Sequence, residues 1–289
     1  MGQRNDAFEV KDIRLYNRIF PYLMPKRTES LVYYPMSIDM TRAVNFIRLR
    51  NKQAGEKKYH IFDLIMAALV RTFALKPALN RFIMGSRYWQ RRELSFNFVI
   101  KVDYNEEADE RNAVITFEPD MVFEEIAAIM RQSINSIRNS DESEEEGVLR
   151  MLLKLPPWLL RIIMGGLKAA DRLGCYPKSL RAIDGLHVSA FVANLGSINI
   201  PAAPYHHLYE WGTTSIFITF GKLHRTKEVK RDGTDQVTDR IDFGITLDER
   251  IAEGFYFMRA MNLMRYFLEN PHMLENPPDL EAVTGSTSP

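Results

Sequence analysis

The residues of this chain that could do chemistry are few. The densest group is Asp248-Glu249-Arg250-Ile251-Ala252-Glu253-Gly254, where the last strand hands over to the last helix. A glutamate there can serve as a general base. Its ordinary pKa of about 4.3 makes it a weak one for a thiol or alcohol, and burial would raise it toward neutral pH. The second candidate base is the pair His206-His207 in "PAAPYHHLYEWG". The plain reading of that pair is loop histidines with exposed polar tips. Ser197 offers a hydroxyl after Gly196, but it suits a turn equally well. His60, His187, His224 and His272 are isolated, with no Asp or Cys partner at ligand spacing, so no metal site is assigned. Cys175, the single cysteine, reads as a small apolar residue rather than a nucleophile. Any catalysis therefore rests on the carboxylates or on His206 and His207.

Composition narrows the partners. Lys plus Arg is 38 against 37 Asp plus Glu, a formal charge of +1. That balance gives no electrostatic case for nucleic acid, which calls for a basic stripe. A lone cysteine fits a reducing, cytoplasmic setting. Residues 1–10 are polar and carry no signal-peptide apolar region. The 46% apolar and 26% charged content is that of a globular protein.

The elements that must position these residues follow from periodicity. Residues 1–30 read as an N-terminal arm, with Ile13, Tyr16, Ile19, Phe20 and Leu23 at helical spacing. "LVYYPMSI" (31–38) reads as a strand, placed at a sheet edge by Pro35. A helix follows from about Arg42, capped by Asp39 or Thr41. The stretch from His60 to Phe82 is the clearest helix, with Asp63 as a cap and Pro77 ending its regular part or beginning a second short turn. Period-2 runs at 93–104 and 113–118 predict a strand pair joined by an acidic loop. A helix spans Met121 to Ile137, then a charged linker, 139–147. Residues 148–173 are helical and unusually apolar, yet their charges, Pro156, Pro157 and a Gly165-Gly166 pair argue against a spanning helix. The first reading of this segment is extra core or a subunit interface; the other is a lid, a lipophilic acceptor pocket or membrane-surface contact. Strands follow around 187–200, 213–220 and 240–247, with a polar hairpin at Asp232-Gly233. The last helix covers Glu249 to Leu268, and residues 270–289 read as a flexible tail. One α+β domain over 1–289 is the expectation.

In order along the chain, "YYPMSIDMTRAVNFIRLRN", "FDLIMAALVRTFALKPALNRF", "VSAFVANLGSINI", "TTSIFITFGK" and Asp248-Glu249-Arg250-Ile251-Ala252-Glu253-Gly254 resemble segments of the catalytic domain of the 2-oxoacid dehydrogenase acyltransferases and of chloramphenicol acetyltransferase. Asp248, Arg250 and Gly254 match those families' strand-to-helix motif, D-H-R-x-x-D/N-G. The resemblance covers about Leu31 to Leu268. It implies an α/β two-layer sandwich that forms a homotrimer, with the active site in a channel between subunits. It also implies coenzyme A thioesters as acyl donors and a small-molecule acyl acceptor.

The sequence departs from the resemblance at the reacting positions. Glu249 stands where the catalytic histidine belongs. Ala193, in Ala193-Asn194-Leu195-Gly196, stands where the acyltransferases carry an oxyanion-stabilising hydroxyl, and Ser197 is the nearest substitute. Glu253 stands where an Asp or Asn holds the site in shape, and Arg18 is the arginine expected to pair with it. A missing oxyanion donor typically costs about 10²–10³ in rate, and a general base contributes about 10²–10⁴. Two expectations follow. One is an acyltransferase with Glu249 as base. The other is an inactive homologue acting as a trimeric binding or assembly subunit. The short segment before the first matching strand implies the core alone, without a lipoyl domain.

Overall fold

The computed structural model describes residues 4–101, 110–139, 144–229 and 233–279. The acidic loop and most of the Asp232-Gly233 turn lie outside the described residues. So do part of the charged linker and the last ten residues of the expected tail.

A mixed seven-stranded sheet carries the fold. Its strands are β2 (Leu31–Asp39), β5 (Leu94–Lys101), β6 (Glu110–Phe117), β7 (Ala190–Asn194), β8 (Ile216–Phe220), β9 (His224–Val229) and β10 (Asp235–Asp248), in the order β2-β10-β8-β7-β5-β6. β7 runs parallel to both β5 and β8, and the other pairings are antiparallel. β10 is long because it pairs twice: its first half with β9, its second half between β2 and β8. β2 lies at the edge, where Pro35 opposite Gly244 leaves the ladder intact.

Period-2 alternation decides which side chains meet the helices. Phe243, Ile245 and Leu247 of β10 pair with Phe220, Ile218 and Ile216 of β8, and all six are buried on one face. Against that face lie α2 (Thr41–Ala54), α3 (Ile61–Leu75), α4 (Phe123–Asn139) and α8 (Gly254–Glu269), in one core from Ile13 to Leu274. α3 is buried from Asp63 to Phe73, all round its circumference, because sheet and helices enclose it. His60 caps it, with the Asp63 carboxylate accepting the His60 N–H at 2.7 Å. Each of its buried large apolar side chains contributes about 1.5–3 kcal/mol.

The opposite face mixes threonines with the stacked pair Phe191 and Phe217, and the loop between β7 and β8 lies against it. Thr219 donates to Pro204 O at 2.6 Å, and a Cβ on Gly244 would stand 2.5 Å from the Ala203 carbonyl. Only glycine admits that approach.

Four expectations need correction. The arm is not free: β1 (Ala7–Glu9) joins β3 (Arg81–Met84) and β4 (Arg87–Arg91) in a second sheet, order β1-β4-β3. The long helix ends before Pro77, which opens a short 3-10 turn, and Phe82, at the end of the same stretch, is in β3. The Gly85-Ser86 turn, with φ of 61° and 58°, is a two-residue hairpin loop that the helical reading overlooked. The tail is docked through residue 276: Pro271 and Leu274 are buried, and Arg71 donates to Met273 O and Asn276 O. Finally, residues 148–173 add no core. They form α5 (Glu144–Leu153) and α6 (Pro157–Arg172), and the buried residue of α6 is Asp171.

Candidate functional site

A pocket of about 620 Å³ opens where β10 ends and α8 begins. Phe20, Val32, Tyr34, Leu247, Phe257 and Met261 give it an apolar wall, and Glu249, Glu253, Arg14 and Asn17 supply its polar groups. An apolar cavity with a few converging polar groups is the usual form of a small-molecule site.

The turn that presents Glu249 is held from beneath. Asp248 is fully buried and accepts from Arg250 Nη2 at 2.6 Å, from Arg250 Nε at 2.8 Å and from Ser30 Oγ at 2.9 Å. Arg250, also buried, donates onward to Met24 O at 2.6 Å. The Glu249 N–H is tied to Ser30 O at 3.0 Å. Asp248 and Arg250 are thus scaffold, and the residue between them is turned outward. Glu249 is exposed, so burial within one chain does not act on it.

Glu253 precedes α8 and is paired. Arg14 Nη1 donates to its two carboxylate oxygens at 2.8 and 2.9 Å, and Asn17 Nδ2 to one of them at 3.3 Å. The arginine is therefore Arg14 and not Arg18, whose guanidinium donates to the carbonyls of Ile13 and Lys11. The two lie four residues apart, and sequence position alone cannot choose between them. The missed Arg14 stands at the N-cap of the short 3-10 helix Leu15–Ile19, and Asn17 lies within it. Gly254 opens α8, and a Cβ there would meet nothing within 4 Å.

The other half of the expected site is elsewhere. Ala193 pairs with Thr219, and Thr219 with Gly244. Two strand spacings across and five residues along the sheet put Ala193 roughly 20 Å from Glu249. Asn194 and Ser197 close a local turn: Ser197 N donates to Asn194 Oδ1 at 3.1 Å, and Ser197 Oγ to Asn194 O at 2.7 Å. That uses the serine hydroxyl as a turn residue. His206 stacks flat on Phe217, centroids 4.1 Å apart, and on His207 at 4.7 Å. Neither histidine lines the pocket.

A second polar constellation is buried away from the pocket. His187, isolated in the sequence reading, lies between two carboxylates: Nδ1 is 2.9 Å from Asp184 Oδ2, and Nε2 is 3.2 Å from Asp171 Oδ2. Arg4 Nη2 donates to Asp171 Oδ1 at 2.6 Å, Trp211 Nε1 to Asp184 at 2.8 Å, and Tyr176 stacks on the imidazole. Burial alone would raise the Asp171 pKa, but the hydrogen bonds and charges of His187 and Arg4 outweigh it and hold it at about 2. Burial would lower His187, and the two carboxylates outweigh that and raise it. Asp184, three residues before His187, was the available sequence signal. Among the described residues no group of three or more His, Cys, Asp or Glu is arranged to hold a metal ion.

No protein-family model matches the chain, and no curated protein matches its sequence. Solved structures do match its fold. A probable dihydrolipoamide acetyltransferase from Listeria monocytogenes superposes with a TM-score of 0.59 at 13% identity, over 90% of this chain and 95% of that one. The Azotobacter vinelandii dihydrolipoamide acetyltransferase, in whose catalytic mechanism the roles of a serine, a histidine and an asparagine were investigated, gives 0.57 at 15%, over 96% and 95%. A chloramphenicol acetyltransferase gives 0.54 at 15%, over 91% and 99%. The chain has the fold these acyltransferases share, with its mixed sheet packed by helices.

Proposed function

We propose that the chain is an acyltransferase that takes an acyl group from a coenzyme A thioester and passes it to a small acceptor. Glu249 is the base that removes the acceptor proton, and Glu253, held by Arg14, shapes the site. The observation that carries this reading is the apolar pocket with Glu249 at its wall, at the same strand-to-helix junction where the resemblance puts the family's catalytic base. Such a pocket suits the apolar part of an acyl-pantetheine arm, and the carboxylate at its mouth is free to accept a proton.

The 20 Å between Glu249 and Ala193 fits an assembly in which one subunit offers the pocket and its neighbour the β7 turn. Exposed Leu15, Tyr16, Leu23 and Phe255 near the pocket are the kind of apolar surface a second subunit covers. We propose a homotrimer, and covering Glu249 there would supply the burial one chain lacks. Without a hydroxyl at Ala193, the oxyanion is left to backbone N–H groups and to the neighbour.

A second reading, a trimeric binding or assembly subunit without turnover, is favoured by one observation: Ala193 carries a methyl group where an oxyanion-stabilising hydroxyl is expected. Purified protein with acetyl-CoA and a panel of acceptors, followed by free-thiol release in wild type and Glu249→Ala, separates the two. Acceptor-dependent release abolished by the substitution is the expected result. Release that survives it removes Glu249 as base. Tight coenzyme A binding without release from any thioester supports the binding subunit.

A further inference from the structure

α6 is an amphipathic helix with one strip that the other described residues leave exposed. Trp158 and Ile162 are each 62% exposed and share one strip with Ala169. Arg161, Lys168 and Arg172 form the adjoining strip at i, i+7 and i+11, and all three are exposed. The approach to the helix is similar: Leu153 is 72% and Met151 65% exposed, with Lys154 beside them in sequence.

Two features say what covers this face. The first is charge. From 154 to 173 the chain carries Lys154, Arg161, Lys168 and Arg172 against one carboxylate, Asp171. That carboxylate is buried and held by Arg4 and His187, so it cancels nothing at the surface. The acidic residues Glu144–Glu146 open α5, at the far end of the segment from α6. The second feature is fixation. The Asp171 clamp ties the C-terminal turn of α6 to the body through a buried ion pair, which holds the apolar strip outward. Trp beside a cationic strip on a helix is the pattern that lies in a bilayer's headgroup region, the ring at the acyl boundary and the cations among anionic lipids. No helix among the described residues is long and apolar enough to cross a membrane, so the contact is with the surface.

The geometry points to α6 and the approach from α5 as a docking surface for anionic lipid bilayers. Such docking would hold the protein at a membrane independently of what its pocket does.

The test is co-sedimentation of the full chain with vesicles, one set pure phosphatidylcholine and one containing about 30% phosphatidylserine, at about 0.1 M salt. The expected result is binding to the anionic vesicles, weak binding to the neutral ones, and a blue shift of tryptophan emission that disappears in Trp158→Phe. Trp89 is buried and Trp211 is hydrogen-bonded to Asp184, so Trp158 is the reporter. The double variant Arg161→Glu/Lys168→Glu changes exposed positions only. It should keep the wild-type circular dichroism and melting curve and bind anionic vesicles at least about tenfold more weakly. Equal binding to both vesicle sets, no binding to either, or unchanged binding by a folded double variant would overturn the proposal. So would self-association without lipid that Ile162→Asp abolishes, because a second copy would then be the occupant.

Discussion

The cluster around His187 and the turn around Glu249 are opposite uses of the same side-chain types. At His187 an imidazole, two carboxylates and an arginine are buried, and their hydrogen bonds join the N-terminal segment, the end of α6 and the loop before β7. It has the histidine–carboxylate pairing used in catalysis, but no nucleophile is among these groups and the pocket lining contains none of them. At Glu249 the order is reversed. The buried charges, Asp248 and Arg250, are satisfied by each other, and the residue between them is exposed and lines the pocket. A saturated constellation stabilises, and an accessible group backed by a saturated one is available for chemistry. Histidine near aspartate is not by itself a site.

That contrast can be broken experimentally. The largest expected effect is on stability at the buried charges. Removing one partner of a buried pair costs about 3–5 kcal/mol, so Arg250→Ala and His187→Ala should each lower the urea midpoint by that equivalent. A change below about 1 kcal/mol at His187 would mean its network is not saturated. Next is Glu249→Gln. It should lower acyl transfer by about 10²–10⁴ while leaving the melt within about 0.5 kcal/mol, as at an ordinary surface site. Loss of both together would make Glu249 part of the scaffold.

The pH dependence is smaller and has a definite sign. His187 is raised on folding, so its contribution is complete below its unfolded value and is lost as pH rises through the folded one. Asp171 is lowered to about 2, so its contribution is present above the unfolded carboxylate range and fades as pH falls toward 2. Urea melts of wild type against His187→Gln across pH 5 to 9 should show the wild type losing its advantage on the alkaline side. A constant difference would contradict the pairing. The smallest effect is Arg14→Ala. An exposed ion pair contributes about 0–1 kcal/mol, so stability should barely move, whereas the Michaelis constant for the thioester should rise as Glu253 loses its anchor.

The sequence made most of this architecture legible and left specific parts obscure. Alternation in "TTSIFITF" and "RIDFGITL" was clear because one face of each strand is wholly apolar. The helix after His60 was clear because it is apolar all round. The three-stranded sheet was missed because β3 and β4 are short, and Arg81, Arg87 and Arg91 hide their alternation. Glu249 and Glu253 could be picked out because they lie in one contiguous motif. Arg14 could not, since its partner is more than two hundred residues away. The Asp171–His187 pairing was hidden because sixteen residues and a change of element separate the two, and α6 was read as extra core or a subunit interface because apolar content does not tell which way a helix faces.

The pocket beside Glu249 is the centre of the account, and its occupancy can be read directly. Met258 and Met261 line it, whereas Met151 and Met164 lie on α5 and α6. With methyl-labelled methionine, titration with acetyl-CoA should shift the resonances of Met258 and Met261 in a saturable way and leave Met151 and Met164 in place. Saturable shifts confined to other methionines, or no shift at any methionine, would contradict it.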